Sequence, residues 1–221
     1  MFTGIIQTKG IISHIQLQHG LTRYQVTMPQ SHLRGIQLGA SIAIDGVCQT
    51  VVKIEENGIW FEAIQETLNK TTLQHVQVRE AVNVERSAKI GDEIGGHLLS
   101  GHIFGLAELI KITSPDPNNR IFTFHCLKQW MKYIMPKGYI AINGASLTVV
   151  DARPQGEFSV HLIPETLERT TFSQKQEGDF VNIELDNQTL TLVTTLERIL
   201  PQELTKYTKT PATLNGEAYD R

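Results

Sequence analysis

Short apolar, β-branched runs broken by polar turns recur along most of the chain. Ile5-Ile6, Gly10-Ile11-Ile12, Tyr24 to Met28, Ser41 to Ile44, Val51 to Ile54, Ile59 to Ile64 and Ala81 to Val84 read as strands. Gln30 to Leu38 has weak helical spacing, and Thr67 to Leu73 is a short helix or loop. About six strands per half, with turn signals at regular spacing, predict a small all-β barrel. The second half follows the same course, with a helical turn over Met131 to Ile134 and a late strand over Phe158 to Leu162. Beyond Gln188 the period changes. Leu192, Val193, Leu196, Ile199 and Leu200 recur at helical steps, which predicts an amphipathic helix over 188–206. That helix packs on its own barrel or against copies of itself. Residues 207–221 are polar, include Pro211 and Gly216, and are expected to form a flexible tail.

The pattern occurs twice. Asp45-Gly46-Val47-Cys48-Gln49-Thr50 is echoed by Asn143-Gly144-Ala145-Ser146-Leu147-Thr148, 98 positions on. Glu66-Thr67-Leu68 returns as Glu165-Thr166-Leu167, and Val82-Asn83-Val84-Glu85 as Val181-Asn182-Ile183-Glu184, both 99 positions on. Phe2-Thr3-Gly4-Ile5-Ile6 aligns with Leu99-Ser100-Gly101-His102-Ile103 at 97. Blocks in one order at nearly constant spacing mean a duplicated domain, with the drift taken up in loops. We therefore expect barrels at 1–97 and 98–187. Asp-Gly and Asn-Gly between apolar runs are hairpin turns, because both central residues need φ > 0. Cys48 and Thr50 then share one strand face, as do Ser146 and Thr148. They face water on a surface hairpin, or they face a ligand.

Composition narrows the function classes. The chain has 221 residues, room for two domains of about 100 residues each, and a net charge of −3 that disfavours nucleic acid. No run is long enough for a membrane helix. The start Met1-Phe2-Thr3-Gly4 has no signal-peptide pattern, and Cys48 and Cys126 form no disulfide framework, so a reducing cytoplasm is expected. His97 and His102 fall five positions apart in Gly95-Gly96-His97-Leu98-Leu99-Ser100-Gly101-His102. On one continuous strand they would face opposite sides, and no Cys or carboxylate cluster completes a ligand set, so no metal is expected. The glycines match no nucleotide-binding fingerprint. His102 stands where the first half has Ile5, and His161 where it has Glu62. Each is a functional candidate or an ordinary surface histidine. Thr67 and Thr166 could bond a polyol or cap the helices that follow them.

Together, the two hexapeptides, Gly-Gly-His-x-x-Ser-Gly-His and His161-Leu162-Ile163-Pro164-Glu165-Thr166-Leu167 resemble the riboflavin synthase family along nearly the whole chain. The resemblance implies two Greek-key barrels, each binding one 6,7-dimethyl-8-ribityllumazine, and a homotrimer held by C-terminal helices. It also implies active sites between subunits. One lumazine would pass a four-carbon unit to the other, giving riboflavin and 5-amino-6-(ribitylamino)uracil, with no cofactor; association with lumazine synthase also belongs to this picture. Carried over by position, Gly4-Ile5-Ile6, Cys48-Gln49-Thr50 and Glu62-Ala63-Ile64-Gln65-Glu66-Thr67 make a first site. Gly101-His102-Ile103, Lys137, Ser146-Leu147-Thr148 and His161 to Thr166 make a second. The catalytic expectations are His102, Ser146 and Thr148, then Cys48, Ser41, Asp186 and Phe2. Gln49, where the family often has Leu, and Asn69, where it often has Arg, depart from the pattern. The competing reading is a non-catalytic antenna protein that holds a lumazine or flavin as chromophore; such relatives lose much of the second motif, which is complete here.

Overall fold

The computed structural model describes residues 1–208, with side chains through Pro201. A first closed antiparallel barrel consists of β1 (Thr8–Gln18), β2 (Leu21–Thr27), β3 (Ser41–Ile44), β4 (Val47–Glu55), β5 (Gly58–Ile64) and β6 (Ala81–Arg86), in the cyclic order β1-β2-β5-β4-β3-β6. A second consists of β7 (Gly105–Asp116), β8 (Asn119–His125), β9 (Tyr139–Ile142), β10 (Ala145–Arg153), β11 (Glu157–Leu162) and β12 (Phe180–Leu185), joined in the equivalent order. Helical pieces are α1 (Gln30–Leu33), α2 (Gln65–Lys70), α3 (Pro164–Arg169) and α4 (Asn187–Thr208). The all-β duplicated fold and the terminal helix are therefore as the pattern predicts. The tail expected from 207 starts inside α4, and 209–221 lie outside the described residues.

The strands are held by alternation. On β5, Ile59, Phe61 and Ala63 turn inward while Glu62 and Ile64 are exposed, the period-two signature of a one-sided sheet, and Trp60 on the outward face is covered by His14 and Arg23. Tyr24, Phe61, Ile42 and Val82 fill the first barrel, and Phe122, Phe124, Phe158 and Phe172 the second. Each of the Ile, Val and Phe side chains among them, fully withdrawn from water, contributes roughly 1.5–3 kcal/mol.

Both predicted hairpin turns form, with φ of 44° and 80° at Asp45 and Gly46 and of 44° and 79° at Asn143 and Gly144. Neither is a surface hairpin. The two turns meet back to back, so that a Cβ on Gly46 would lie 2.6 Å from Gly144 N, a contact only glycine permits. Asn83 Nδ2 donates to Asn143 O at 2.9 Å, and Asn182 Nδ2 donates to Asp45 O at 2.8 Å. The asparagine of each Val-Asn-Val/Ile-Glu repeat thus reaches the other barrel's turn. Buried polar groups need such partners, and here the pairing joins the barrels across a pseudo-twofold.

Ile5-Ile6 is not a strand of the first barrel. Residues 1–6 cross to the second barrel, and Ile6 packs in that barrel's core. Residues 99–103 cross the other way, and Ile103 packs against the first core. Phe2 and Leu99 pair where the segments pass, each N–H donating to the other's carbonyl at 2.8 and 2.9 Å.

Candidate functional site

The crossing segments regroup the expected sites. β4 pairs with β3 from the turn outward, but its ladder with β5 begins only at Val51↔Phe61. In a two-residue hairpin, alternate residues turn their N–H groups away from the partner strand. At Cys48 and Thr50 these groups face the gap where β4 and β5 part. Gly101 enters that gap, and Cys48 N–H donates to Gly101 O at 2.8 Å. The second barrel repeats this arrangement: its β10–β11 ladder begins at Val149↔Val160, and Ser146 N–H donates to Gly4 O at 2.8 Å. A Cβ on Gly4 would lie 2.5 Å from Ser146 Cβ, and one on Gly101 2.6 Å from Cys48 Cβ. The grouping by repeat is thus overturned. Gly4-Ile5-Ile6 belongs with Ser146, and Gly101-His102-Ile103 with Cys48, because each segment lies over the neighbouring barrel before entering its own.

Each edge presents main-chain groups with a polar pair beside them. Cys48 and Ser146 are half-buried, while Thr50 and Thr148 are exposed. Exposed Ile64, Gln65 and Glu66 flank the first edge, and exposed Ile163, Pro164 and Glu165 flank the second. Ala63, Leu147 and Leu162 turn inward and are buried, so only their backbone is available there. Gln49 also turns inward, away from Cys48 and Thr50. It is 5% exposed, its Nε2 bonds only its neighbour's carbonyl, and its Oε1 has no partner among the described residues. Its counterpart Leu147 sits in the second core. The Gln49 side chain therefore points into the barrel interior, and only its backbone faces the open edge.

Thr67 and Thr166 do not cap α2 and α3; each is the third residue of its helix, and their carbonyls accept the Thr71 and Thr170 hydroxyls. Ser41 pairs in register with Thr50. Phe2 is buried against Ala43, Leu99 and Ala141, with Cys48 beside it, and so anchors the crossing segments. Lys137 has φ 67° in the turn before β9, where its N–H donates to Val149 O. His161 and His102 are exposed, His161 beside Asn119.

The sequence pattern gives His97 no individual role beyond that of a disfavoured metal ligand. It lies in the linker rather than on a strand, and its Nδ1 is 2.6 Å from Ser146 Oγ. The ring stacks on Tyr139 at 5.0 Å, and its Nε2 is buried without a partner among the described residues. Burial lowers its pKa, with the Asp186 charge acting against that shift. Burial raises the Asp186 pKa, but hydrogen bonds from Thr189 and the nearby His97 outweigh it and leave the carboxyl below its usual range. Asp186 also caps α4, accepting Thr189 N–H and Oγ1–H at 2.8 and 2.6 Å. The signal in the sequence was the unpaired Gly96-His97 just ahead of the repeat. Among the described residues no His, Cys, Asp and Glu cluster suited to a metal occurs.

Comparison with known proteins agrees with this geometry. The lumazine binding domain model matches residues 3–87 and again 100–186. Riboflavin synthase of Escherichia coli (strain K12) is 47% identical over 200 residues, covering 90% of this chain and 93% of that protein. Riboflavin synthase of Chlamydia pneumoniae is 44% identical, covering 90% and 97%. Among solved structures, LumP complexed with 6,7-dimethyl-8-(1'-D-ribityl) lumazine superposes with a TM-score of 0.77 at 26% identity, covering 85% of this chain and 100% of that one. LumP complexed with riboflavin superposes equally well, at 28% identity. With a matched domain in each half and close relatives along most of its length, the chain belongs to the riboflavin synthase family.

Proposed function

We propose that the protein is a riboflavin synthase, converting two 6,7-dimethyl-8-ribityllumazine molecules to riboflavin and 5-amino-6-(ribitylamino)uracil. The observation that carries this reading is the intact duplication: both strand edges keep their polar pair, their flanking Glu-Thr-Leu helix and a crossing segment. The reaction needs two like heterocycles held together, and effective molarity then replaces their encounter. Main-chain groups at Cys48–Thr50 and Ser146–Thr148 would hold the rings, and Thr67 and Thr166 would reach the ribityl chains.

Acid–base help differs between the two sites. At Ser146, a neutral His97 would take the serine hydroxyl proton and return it as the bound ring is attacked or released. At Cys48, His102 would move the proton of the acidified 7-methyl group. Both edges are open in the single chain and carry exposed Ile5, Ile64 and Ile163, while α4 exposes Leu192, Leu196, Ile199 and Leu200. These apolar surfaces support a homotrimer that pairs one subunit's first edge with another's second.

Purified protein given the lumazine alone should form riboflavin and the uracil product in equal amounts. The second reading, a LumP-like binder, is favoured only by the fold likeness. Tight binding of lumazine without turnover would establish it instead.

A further inference from the structure

Two buried carboxylates have no part in the chemistry above, yet each is tied to a crossing segment. Glu184, on β12, accepts Ser100 N–H and Ser100 Oγ–H at 2.7 Å each, and Gly101 N–H at 3.0 Å. Ser100 Oγ in turn accepts His102 N–H at 3.1 Å. Glu85, on β6, accepts Thr3 N–H, Thr3 Oγ1–H and Gly4 N–H at 2.6, 2.8 and 3.1 Å. The wiring is crossed. β12 belongs to the second barrel, but the segment it holds lies on Cys48 in the first; β6 belongs to the first, and its segment lies on Ser146 in the second.

We propose that Glu184 is a positioning residue for the reaction at the Cys48 edge, acting through Ser100 and Gly101 to hold His102 in place, with Glu85 its counterpart for Gly4-Ile5 at Ser146. The assignment rests on the function just proposed. A carboxylate suits this task because it only accepts, and two oxygens can serve three donors at once. An amide would turn an NH2 toward one of those donors. His102 is exposed, and among the described residues only its backbone N–H is hydrogen-bonded, to Ser100, so its position depends on the bonded backbone at Ser100 and Gly101. A displacement of about 1 Å can cost about 100-fold in rate.

Glu184→Gln should lower kcat about 10- to 100-fold and leave KM within about 3-fold. Ser100→Ala, which removes one of the bonds, should fall in the same direction by less. Ser100→Thr should restore nearly full rate, since Thr3 performs the same bonding in the other half. The deciding measurement is the cycle with His102→Gln. The losses of Glu184→Gln and His102→Gln should fail to multiply, because both disable one group, whereas Glu85→Gln and His102→Gln should multiply. Independent losses for Glu184 and His102, or full rate in His102→Gln, overturn the assignment. If Glu184→Gln does not fold, the Ser100 pair carries the same cycle. An inactive wild type overturns the functional reading and this assignment with it; an active wild type with independent losses overturns the assignment alone.

Discussion

Gln49 shows how one residue can sit against its surroundings. Its counterpart Leu147 fills the second core, whereas its own Oε1 is buried without a partner among the described residues. Leaving such a group unpaired costs about 1–3 kcal/mol. Gln49→Leu should therefore raise stability by about 1–2 kcal/mol in denaturant melts, and lumazine affinity should hardly change because the side chain points away from the edge. His97 is the opposite case, a residue whose value comes from one contact. His97→Gln and Ser146→Ala should each slow turnover roughly 10- to 1000-fold, and together cost little more than either. The folded pKa of His97 is lowered, so the ring stays neutral above the ordinary value of about 6.5. The rate should hold above that pH and fall as pH drops through the lower folded value. Its contribution to stability runs the same way: present above about 6.5, lost as the unfolded chain gains the proton on the way down. A rate that rises on acidification would contradict this assignment.

Among the elements, the paired turns are the most informative. Asp-Gly and Asn-Gly are strong local signals because the backbone alone demands them, and both formed. That they pack against each other was not legible, since the asparagines that bridge them lie far away in sequence. Asp45 is 5% exposed there, and burial raises its carboxyl to about 7, against hydrogen bonding from Asn83 and the charge of Lys175. A raised carboxylate pKa means the folded chain keeps a proton that the unfolded chain has already released. Stability should therefore fall as pH rises from about 4 toward 7, and stay lower above that. Asp45→Asn, matching Asn143, keeps an acceptor for Asn83 N–H. It should stabilise the protein at pH 8 by on the order of 1–4 kcal/mol, a gain that shrinks toward pH 4. A gain independent of pH would place the effect elsewhere. The crossing segments hide their destination for a related reason: Ile5-Ile6 reads as the first strand of its own repeat, and His102-Ile103 aligns with it. Only the contacts of Ile6 and Ile103 reveal that each packs into the other barrel.

At the scale of the whole molecule, α4 leaves an apolar face uncovered. Leu196→Glu places a charge on that face without touching either barrel core, so the monomer should still fold. The trimer proposed above should give way to monomer in sedimentation, and riboflavin formation should fall about 100-fold or more. A fully active monomer would show that one chain holds both substrates by itself. Duplication, all-β character, the hairpin turns and the terminal helix were all determined by the order of residues alone. Each depends on side-chain periodicity or on backbone angles that a few neighbouring residues impose. The tertiary structure decided which segment serves which barrel, which histidine meets Ser146, and which carboxylates anchor the crossings. Those are contacts between residues far apart in the chain, where local preference is silent and only the packing of one barrel on its twin selects the partner.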